Sequence, residues 1–253
     1  MNEKKLQKSN DDDVCNQAHS AKSNQGKGPP KTYFEIQLGK QRQAKIAIAR
    51  LIVDSYLMGG DSIILDAGTS LSPIAEEIAR KAVESPESAH FTVMTHNYEA
   101  FQILVGVPSA ANLNIVLAGG RYDKDLNALF GPQTTTNYEQ FFPRVVLIGA
   151  SGFVADQGLF CHGNTEELPV KRVIVRKPCR DRIIITDYLK LGTPDALRFG
   201  ESKELRMDAD RCIVVTNKPP KDADQKTLER YEKEIERLQN NAKVEVRETD
   251  VQG

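Results

Sequence analysis

A carboxylate, a glycine and two hydroxyls stand side by side in the run Asp66-Ala67-Gly68-Thr69-Ser70, between an apolar run and a helix-like segment. Glycine lets the backbone approach a ligand closely, and hydroxyls and N–H groups at a helix N-terminus bind anions. These residues predict a phosphate cradle. The run lacks the lysine of a nucleotide-binding P-loop, so it does not indicate an NTPase. Taken alone, a tight turn followed by a helix cap explains the same residues equally well.

Three further polar groups each follow an apolar run of the chain. They are Thr95-His96-Asn97, Gly119-Gly120-Arg121 and Gly149-Ala150-Ser151-Gly152. Each by itself is explained by a turn, and an arginine such as Arg121 is more often solvated than bound to phosphate. Ligands of parallel α/β sheets bind at the carboxyl ends of the strands, where such groups converge. Together the four groups therefore favour one polar ligand site.

Charged residues later in the chain are weaker candidates for the same site. Glu166 and Glu167 open a helix that carries Lys171 one turn on, an arrangement that the helix dipole and ordinary ion pairing explain. Asp187 and Lys190 follow the fifth apolar run. They could position a sugar hydroxyl and a phosphate, or they could form a solvated loop.

Composition excludes several classes of function. The 253 residues carry 34 Lys+Arg against 35 Asp+Glu, a net charge of -1, which argues against a protein that coats nucleic acid or an anionic membrane. No apolar stretch reaches the length of a membrane span, and the N-terminus has no secretory core. The four scattered cysteines form no CxxC pair, and the adjacent Cys161 and His162 cannot alone hold a metal. We expect a cytoplasmic protein without metal or cofactor.

The elements that must position these residues alternate along the chain. Short apolar runs predict strands at 62–68, 91–95, 114–118, 144–150, 182–186, 212–216 and 243–247. Helical spacing of apolar residues predicts helices at about 45–60, 72–83, 98–105, 166–176 and 223–240. This alternation predicts an α/β fold with a largely parallel sheet. Near-continuous apolar strands indicate helices on both faces of that sheet.

The first part of the chain has a different composition. Residues 1–32 contain few apolar groups, and the rest is mostly Lys, Asp, Asn, Gln, Ser and Gly. Such a segment cannot bury enough apolar area to offset an ordering entropy of about 1–2 kcal/mol per residue. We predict a disordered polar tail at 1–38 and one folded domain at 39–253.

Several phrases of the sequence resemble the C-terminal sensor domain of the DeoR family of bacterial sugar-metabolism regulators. They are GGDSIILDAGTS, FTVMTHN, NIVLAGGRY, VVLIGASGFVADQGL, EELPVKR and IIITDYLKLG, which lie in order within about residues 40–220. The resemblance implies a fold similar to ribose-5-phosphate isomerase and the CoA transferases. It also implies a phosphorylated sugar bound at the strand ends.

The strand-end pattern and the resemblance together define a predicted ligand-binding set without a catalytic residue. It comprises Asp66, Gly68, Thr69, Ser70, Thr95, Asn97, Gly119, Gly120, Gly149, Ser151, Lys171, Asp187 and Lys190. The chain departs from the family pattern at four positions. Ser70 replaces a second threonine, His96 replaces an asparagine, Leu189 replaces a serine, and Pro169 stands where a helix former is usual.

The resemblance implies a sugar-phosphate-binding sensor that regulates carbohydrate metabolism and is not an enzyme. Family members carry a winged helix-turn-helix before this domain, whereas here the preceding residues show no recognition helix. We therefore expect no sequence-specific DNA binding by the chain itself, and action through a regulatory protein partner. Two alternatives stay open: a sugar-phosphate isomerase or hydrolase of the same fold, and an assembly subunit that has lost sugar binding.

A homo-oligomer is also expected, because the resemblance implies oligomeric sensors. Phe130, Tyr138, Phe141 and Phe142 cluster before the fourth strand, and aromatic residues are enriched at interface centres. The alternative is that these aromatics complete the core of one subunit.

Overall fold

Seven parallel strands form the central sheet of the structure, a computed structural model that describes residues 30–108, 112–240 and 244–250. The central sheet and the smaller sheets together use twelve strands of the described residues. They are β1 Ser62–Leu65, β2 Phe91–Thr95, β3 Leu113–Leu117, β4 Arg121–Asp123, β5 Ala128–Phe130, β6 Val145–Gly149, β7 Gly152–Val154, β8 Gly158–Cys161, β9 Cys179–Ile185, β10 Leu197–Glu201, β11 Ala209–Asn217 and β12 Val244–Thr249. The helices are α1 Tyr33–Leu38, α2 Arg42–Tyr56, α3 Ser72–Glu84, α4 Tyr98–Val105, α5 Pro132–Gln140, α6 Glu167–Val175 and α7 Gln225–Gln239.

The order across the sheet is β12-β11-β9-β6-β1-β2-β3, and each neighbouring pair is parallel. This confirms the predicted α/β fold with its parallel sheet. Each predicted strand has a counterpart in this sheet, although residues 241–243, where the last prediction begins, lie outside the described residues.

Both faces of the sheet are buried under helices, as predicted. Neighbouring side chains of one strand enter opposite cores because they alternate in direction. Ile64 packs in a core with residues of α5, α6 and α7, whereas Ile63 and Leu65 pack in another with residues of α2, α3 and α4. This two-sided burial explains why the strands are near-continuous apolar runs rather than alternating ones.

The folded domain begins earlier in the chain than residue 39. Residues 33–38, assigned above to the polar tail, form helix α1, which Thr32 and Glu35 start with reciprocal capping bonds. Phe34 is buried. The prediction extended the tail too far because Tyr33, Phe34, Ile36 and Leu38 form too short a run for a periodic signal. The predicted disorder of residues 1–29 lies outside the described residues.

Short antiparallel elements were not predicted. Strands β4 and β5 form a hairpin, and β7, β8 and β10 form a second small sheet. Helix α5, with the sequence PQTTTNYEQ, has little apolar periodicity and was also missed. Runs of three to five residues are too short for an alternating pattern to stand out.

Candidate ligand-binding cleft

A cleft opens at the carboxyl ends of β1, β6 and β9, the edge at which parallel sheets bind ligands. Members of the predicted set that line it come from the turns after these strands and from α6. They are Gly68, Thr69, Ser70, Gly149, Ser151, Lys171 and Lys190. Strand ends that are far apart in the sequence therefore meet at one place.

The remaining predicted residues lie outside the lining. They are Asp66, Thr95, Asn97, Gly119, Gly120 and Asp187. Asp66 is fully buried beneath the cleft, and Asp187 is almost as deeply buried. Arg121, considered above as a phosphate contact, lies at the surface with its guanidinium 3.4 Å from Glu166.

An ion pair forms the floor of the cleft. The Lys171 ammonium donates to Asp66 Oδ2 at 2.7 Å and to the Gly149 carbonyl at 3.1 Å, and the Gly149 N–H donates to the same Oδ2. Burial by itself would lower the pKa of Lys171, but the carboxylates of Asp66 and Glu167 raise it above its ordinary value. Lys171 is therefore a fixed cation that lines the cleft.

His96 extends this floor beneath β2. Its ring is fully buried, its Nδ1 is 2.9 Å from the Tyr138 hydroxyl, and its Nε2 is 3.7 Å from Asp66 Oδ1. Neither Nε2 nor Oδ1 has a hydrogen-bond partner among the described residues. Burial lowers the pKa of His96 to about 4, although Asp66 opposes that change. The imidazole is therefore neutral at pH 7.

Glu167 and Cys161 line the wall beside Lys171. Burial raises the pKa of Glu167 above its ordinary value, against the effect of Lys171. Burial and the Glu167 carboxylate raise the pKa of Cys161 to about 12, so its sulfur stays a thiol. A thiol of this kind is a poor nucleophile. The pair Glu167 and Lys171 supplies groups that can hydrogen-bond a hydroxyl.

Helix α1 lies over the cleft, an arrangement that sequence reasoning missed. Tyr33, Phe34 and Gln37 line the cleft from this helix. The Tyr33 ring stacks on the His162 ring with centroids 4.5 Å apart. The backbone N–H of Tyr33 donates to Asp125 Oδ1 at 2.8 Å. Burial and nearby carboxylates raise the pKa of Tyr33 to about 12, so the phenol stays protonated. The adjacent aromatic residues Tyr33 and Phe34 were the sequence feature that could have indicated a folded segment here.

Lys45 is a further residue that the sequence analysis did not identify. Its ammonium is buried and donates to the Gln37 carbonyl at 2.7 Å and to Thr69 Oγ1 at 2.9 Å. Lys190, which lines the cleft, pairs with Asp187 Oδ2 at 2.9 Å. A lysine on a predicted helix normally indicates a solvated face, which is why Lys45 did not stand out.

Thr95 and Asn97 support the turn that carries Gly68. Thr95 Oγ1 donates to the Leu65 carbonyl, and the Asn97 side chain donates to the Gly68 carbonyl and accepts from the Ala100 N–H. Asn97 is therefore the N-cap of α4 and a brace for the turn.

Gly119 and Gly120 pack against α5. Thr134 Oγ1 donates to the Gly119 carbonyl, and a Cβ on Gly120 would come within 2.2 Å of that hydroxyl.

Within residues 30–108, 112–240 and 244–250, no group of three or more His, Cys, Asp or Glu residues could hold a metal ion. Of the helices in those same ranges, none has the length and apolar character needed to cross a membrane.

A family model described as the DeoR C terminal sensor domain matches residues 40–218. The transcriptional repressor AccR of Agrobacterium fabrum strain C58 is 24% identical over 149 residues, which are 59% of this chain and 53% of AccR. The chain thus spans about half the length of the curated relative that it matches.

Solved structures resemble the chain more distantly. A D-ribose-5-phosphate isomerase in complex with phospho-erythronic acid has a TM-score of 0.41 and 14% identity, over 58% of this chain and 52% of that chain. The isomerase A of Methanocaldococcus jannaschii has the same TM-score and identity, over 58% of this chain and 53% of that chain. The eIF2B-beta2-delta2 tetramer of C. thermophilum has a TM-score of 0.39 and 17% identity, over 66% of this chain and 46% of that chain.

Proposed function

Because the chain belongs to the family of DeoR C-terminal sensor domains, as the match over residues 40–218 and the phrases quoted above agree, we propose that it senses a phosphorylated sugar in the cleft. Binding is proposed to regulate genes of carbohydrate metabolism. One observation carries the proposal: Thr69 and Ser70, just before α3, line the cleft together with the cation Lys190, and Thr69 accepts a hydrogen bond from the buried ammonium of Lys45.

The phosphate is proposed to lie against the turn of Gly68, Thr69 and Ser70. The N-terminal end of the thirteen-residue helix α3 follows this turn and favours negative charge. Gly68 has a φ of 121°. Such a backbone suits a residue without a Cβ and lets the chain pass close to a ligand.

The sugar is proposed to extend toward Lys171, Glu167 and Ser151. These groups offer an ammonium, a carboxyl and a hydroxyl, which together match the donors and acceptors of sugar hydroxyls. The ring of Tyr33 and the side chain of Leu126 supply apolar surface for the C–H face of the ligand. A small polar ligand with one anionic end fits this division.

We propose that the chain binds its ligand without converting it. Its relative AccR is a transcriptional repressor. The competing proposal, a sugar-phosphate isomerase or hydrolase, has one feature in its favour: Glu167 and Lys171 are buried acid–base groups that reach the cleft. Fold alone does not establish catalysis. Product analysis on the ligand that binds separates the two.

The substitution Thr69→Glu tests the proposed phosphate position. It places a negative charge where the phosphate is expected. In the unsubstituted chain, a sugar phosphate at about 100 times its Kd should stabilise the fold by about 2.7 kcal/mol, seen as a raised Tm. Thr69→Glu should abolish that rise for every member of a panel of pentose and hexose phosphates.

The matched control is Thr136→Glu, which makes the same change at an exposed position of α5. It should keep the full rise in Tm. Because Thr69 is buried, Thr69→Val is measured alongside and should weaken binding without added charge. A full rise in both Thr69 variants would place the phosphate elsewhere.

A further inference from the structure

The surroundings of Lys45 are unusual for a lysine. Its side chain, 4% exposed, ends on two neutral oxygens, the Gln37 carbonyl and the Thr69 hydroxyl. An ammonium carries three donors, so one N–H is left after these two bonds. Among the described residues, no carboxylate oxygen lies within 4.0 Å of its Nζ. The molecule therefore buries a cation without a bonded counterion, next to the proposed phosphate position.

Charged groups around Lys45 do not make up for that burial. Asp187 favours the charged form of Lys45, but the Asp187 carboxylate is already paired with Lys190. Lys190 and Lys40, which are themselves cations, disfavour the charged form of Lys45. The other groups that face the Nζ, from α1 and from the turn before α3, are neutral. Burial, followed by the effect of Lys190, lowers the pKa of Lys45 to about 8. A bound anion would stabilise the ammonium form.

The same ammonium joins the turn of Gly68, Thr69 and Ser70, where the phosphate is proposed to bind, to α1. Thr69 belongs to the turn, and Gln37 belongs to the last turn of α1. Among the described residues, the other backbone bonds from α1 to the domain come from Tyr33 and Phe34, and both end on Asp125. The bond to Lys45 therefore links the C-terminal end of α1 to the turn that carries Thr69.

We propose that Lys45 binds the anionic group of the ligand directly and thereby fixes α1 over the occupied cleft. This inference rests on the proposed function and deepens it, because it names the residue through which ligand charge reaches α1. The ligand anion accepts a hydrogen bond from the remaining N–H of Lys45 and so keeps the ammonium protonated. The protonated ammonium is the stronger donor to the Gln37 carbonyl, so α1 is held more firmly.

Sulfate is the probe, because it stays a dianion across the range in which Lys45 titrates. Its affinity is measured by calorimetry from about pH 7 to about pH 9.5 for the unsubstituted chain and for Lys45→Arg and Lys45→Met. Above about pH 8 the unsubstituted chain should lose affinity by up to about tenfold per pH unit, since binding then requires uptake of a proton. Lys45→Arg should bind with little pH dependence. Lys45→Met should bind about tenfold or more weakly at pH 7.

Lys81→Met is the matched control. The Lys81 ammonium likewise donates to two neutral oxygens, the carbonyls of Val53 and Leu57, but neither belongs to the turn of Gly68, Thr69 and Ser70. Its loss should leave both the affinity for sulfate and its pH profile unchanged. Lys81→Met also shows whether removing any lysine of this kind alters binding through general loosening of the fold.

Hydrogen exchange of the α1 amides provides the second readout. Saturating sulfate should slow exchange in α1 in the unsubstituted chain and in Lys81→Met, but not in Lys45→Met. If Lys45→Met binds sulfate with the unsubstituted affinity and pH profile, or protects α1 equally, the role of Lys45 is refuted while the proposed function stands. If neither sulfate nor any sugar phosphate binds the unsubstituted chain, the proposed function and this inference both fail.

Discussion

Among single residues, Asp66, His96 and Lys171 form a buried polar cluster that is paired only in part. Asp66 accepts from Lys171 on one carboxylate oxygen, while its other oxygen faces the neutral imidazole of His96. Burying charge is costly unless the charge is paired, and here the pairing is made on one side only. Such a floor is held in place by the surrounding sheet, which leaves Lys171 oriented toward the cleft.

His96 should make the fold sensitive to acid. Its folded pKa of about 4 lies below the ordinary value of 6.5, so between these values the unfolded chain binds the extra proton. The stability that depends on neutral His96 is therefore complete above about pH 6.5 and is lost as the pH falls toward 4. The shift corresponds to about 3 kcal/mol. Urea unfolding of the chain and of His96→Asn over this range measures it.

The asparagine variant should lose less stability on acidification than the unsubstituted chain, by a difference of that order. Carboxylates titrate in both proteins, so the comparison isolates His96. Equal losses in the two proteins would mean that the buried imidazole does not remain neutral in the folded state.

At the same scale, the sequence predicted the polar strand ends but not every partner. The position of Gly68, Thr69 and Ser70 in the cleft lining was predictable, because a glycine and hydroxyls at a strand-to-helix turn are typical of a polar ligand site. Tyr33, which lines the cleft, and Lys45, which bonds to Thr69, were not, because their positions depend on how α1 and α2 pack beside the turn. Thr95 and Asn97 were predicted as ligand contacts, and that stays a prediction; in the structure their side chains donate to the carbonyls of Leu65 and Gly68. Spacing alone does not separate a brace from a contact.

Among the elements, the parallel strands were predictable because burial on both faces makes each one a continuous apolar run. Helices α2, α3, α4, α6 and α7 followed from their apolar stripes. Helix α1 and the short antiparallel strands carry too few residues for a period, so tertiary contacts decide their structure. The N–H groups of Tyr33 and Phe34, for example, bond to Asp125, more than ninety positions away in the chain.

The turn between β3 and β4 should tolerate no side chain at Gly120. Its φ is 112°, and an added Cβ would meet the Thr134 hydroxyl at 2.2 Å and the Phe130 carbonyl at 2.7 Å. Gly120→Ala should therefore lower the free energy of unfolding by about 2 kcal/mol or more, from backbone strain and overlap combined. Chemical denaturation measures the loss.

Gly39→Ala is the control for this prediction. Gly39 has a φ of -76°, and an added Cβ there would meet no atom within 4 Å. It should change stability by less than about 1 kcal/mol. Equal effects at the two glycines would show that the contact between this turn and α5 does not constrain the fold.

For the whole molecule, the aromatic cluster proposed as an interface divides into two parts. Phe130 and Tyr138 are fully buried in the core of the subunit, so they cannot form an interface, and that part of the prediction is wrong. Phe141 is partly buried against the same core. Phe142 is 80% exposed, with the Lys177 ammonium 5.1 Å from its ring centre. The interface prediction therefore rests on Phe142.

We expect a homo-oligomer that Phe142→Ser dissociates. An exposed aromatic ring at an interface centre contributes more than its share of the binding energy, so its loss should shift the mass measured by light scattering toward the monomer. The helical circular-dichroism signal should persist, because the ring is not part of the core. Met207→Ser, at a methionine 56% exposed elsewhere, is the control and should keep the oligomer. A monomer at tens of micromolar before any substitution would refute the expectation.

The central claim, a phosphorylated sugar bound without conversion, is tested most directly by phosphorus NMR of sugar phosphates mixed with the chain. We predict that the resonance of at least one sugar phosphate shifts or broadens, that Thr69→Glu abolishes this change, and that no new resonance appears on prolonged incubation. Unchanged spectra for the whole panel would contradict binding. A second resonance that grows with time would contradict the sensor and establish the enzyme instead.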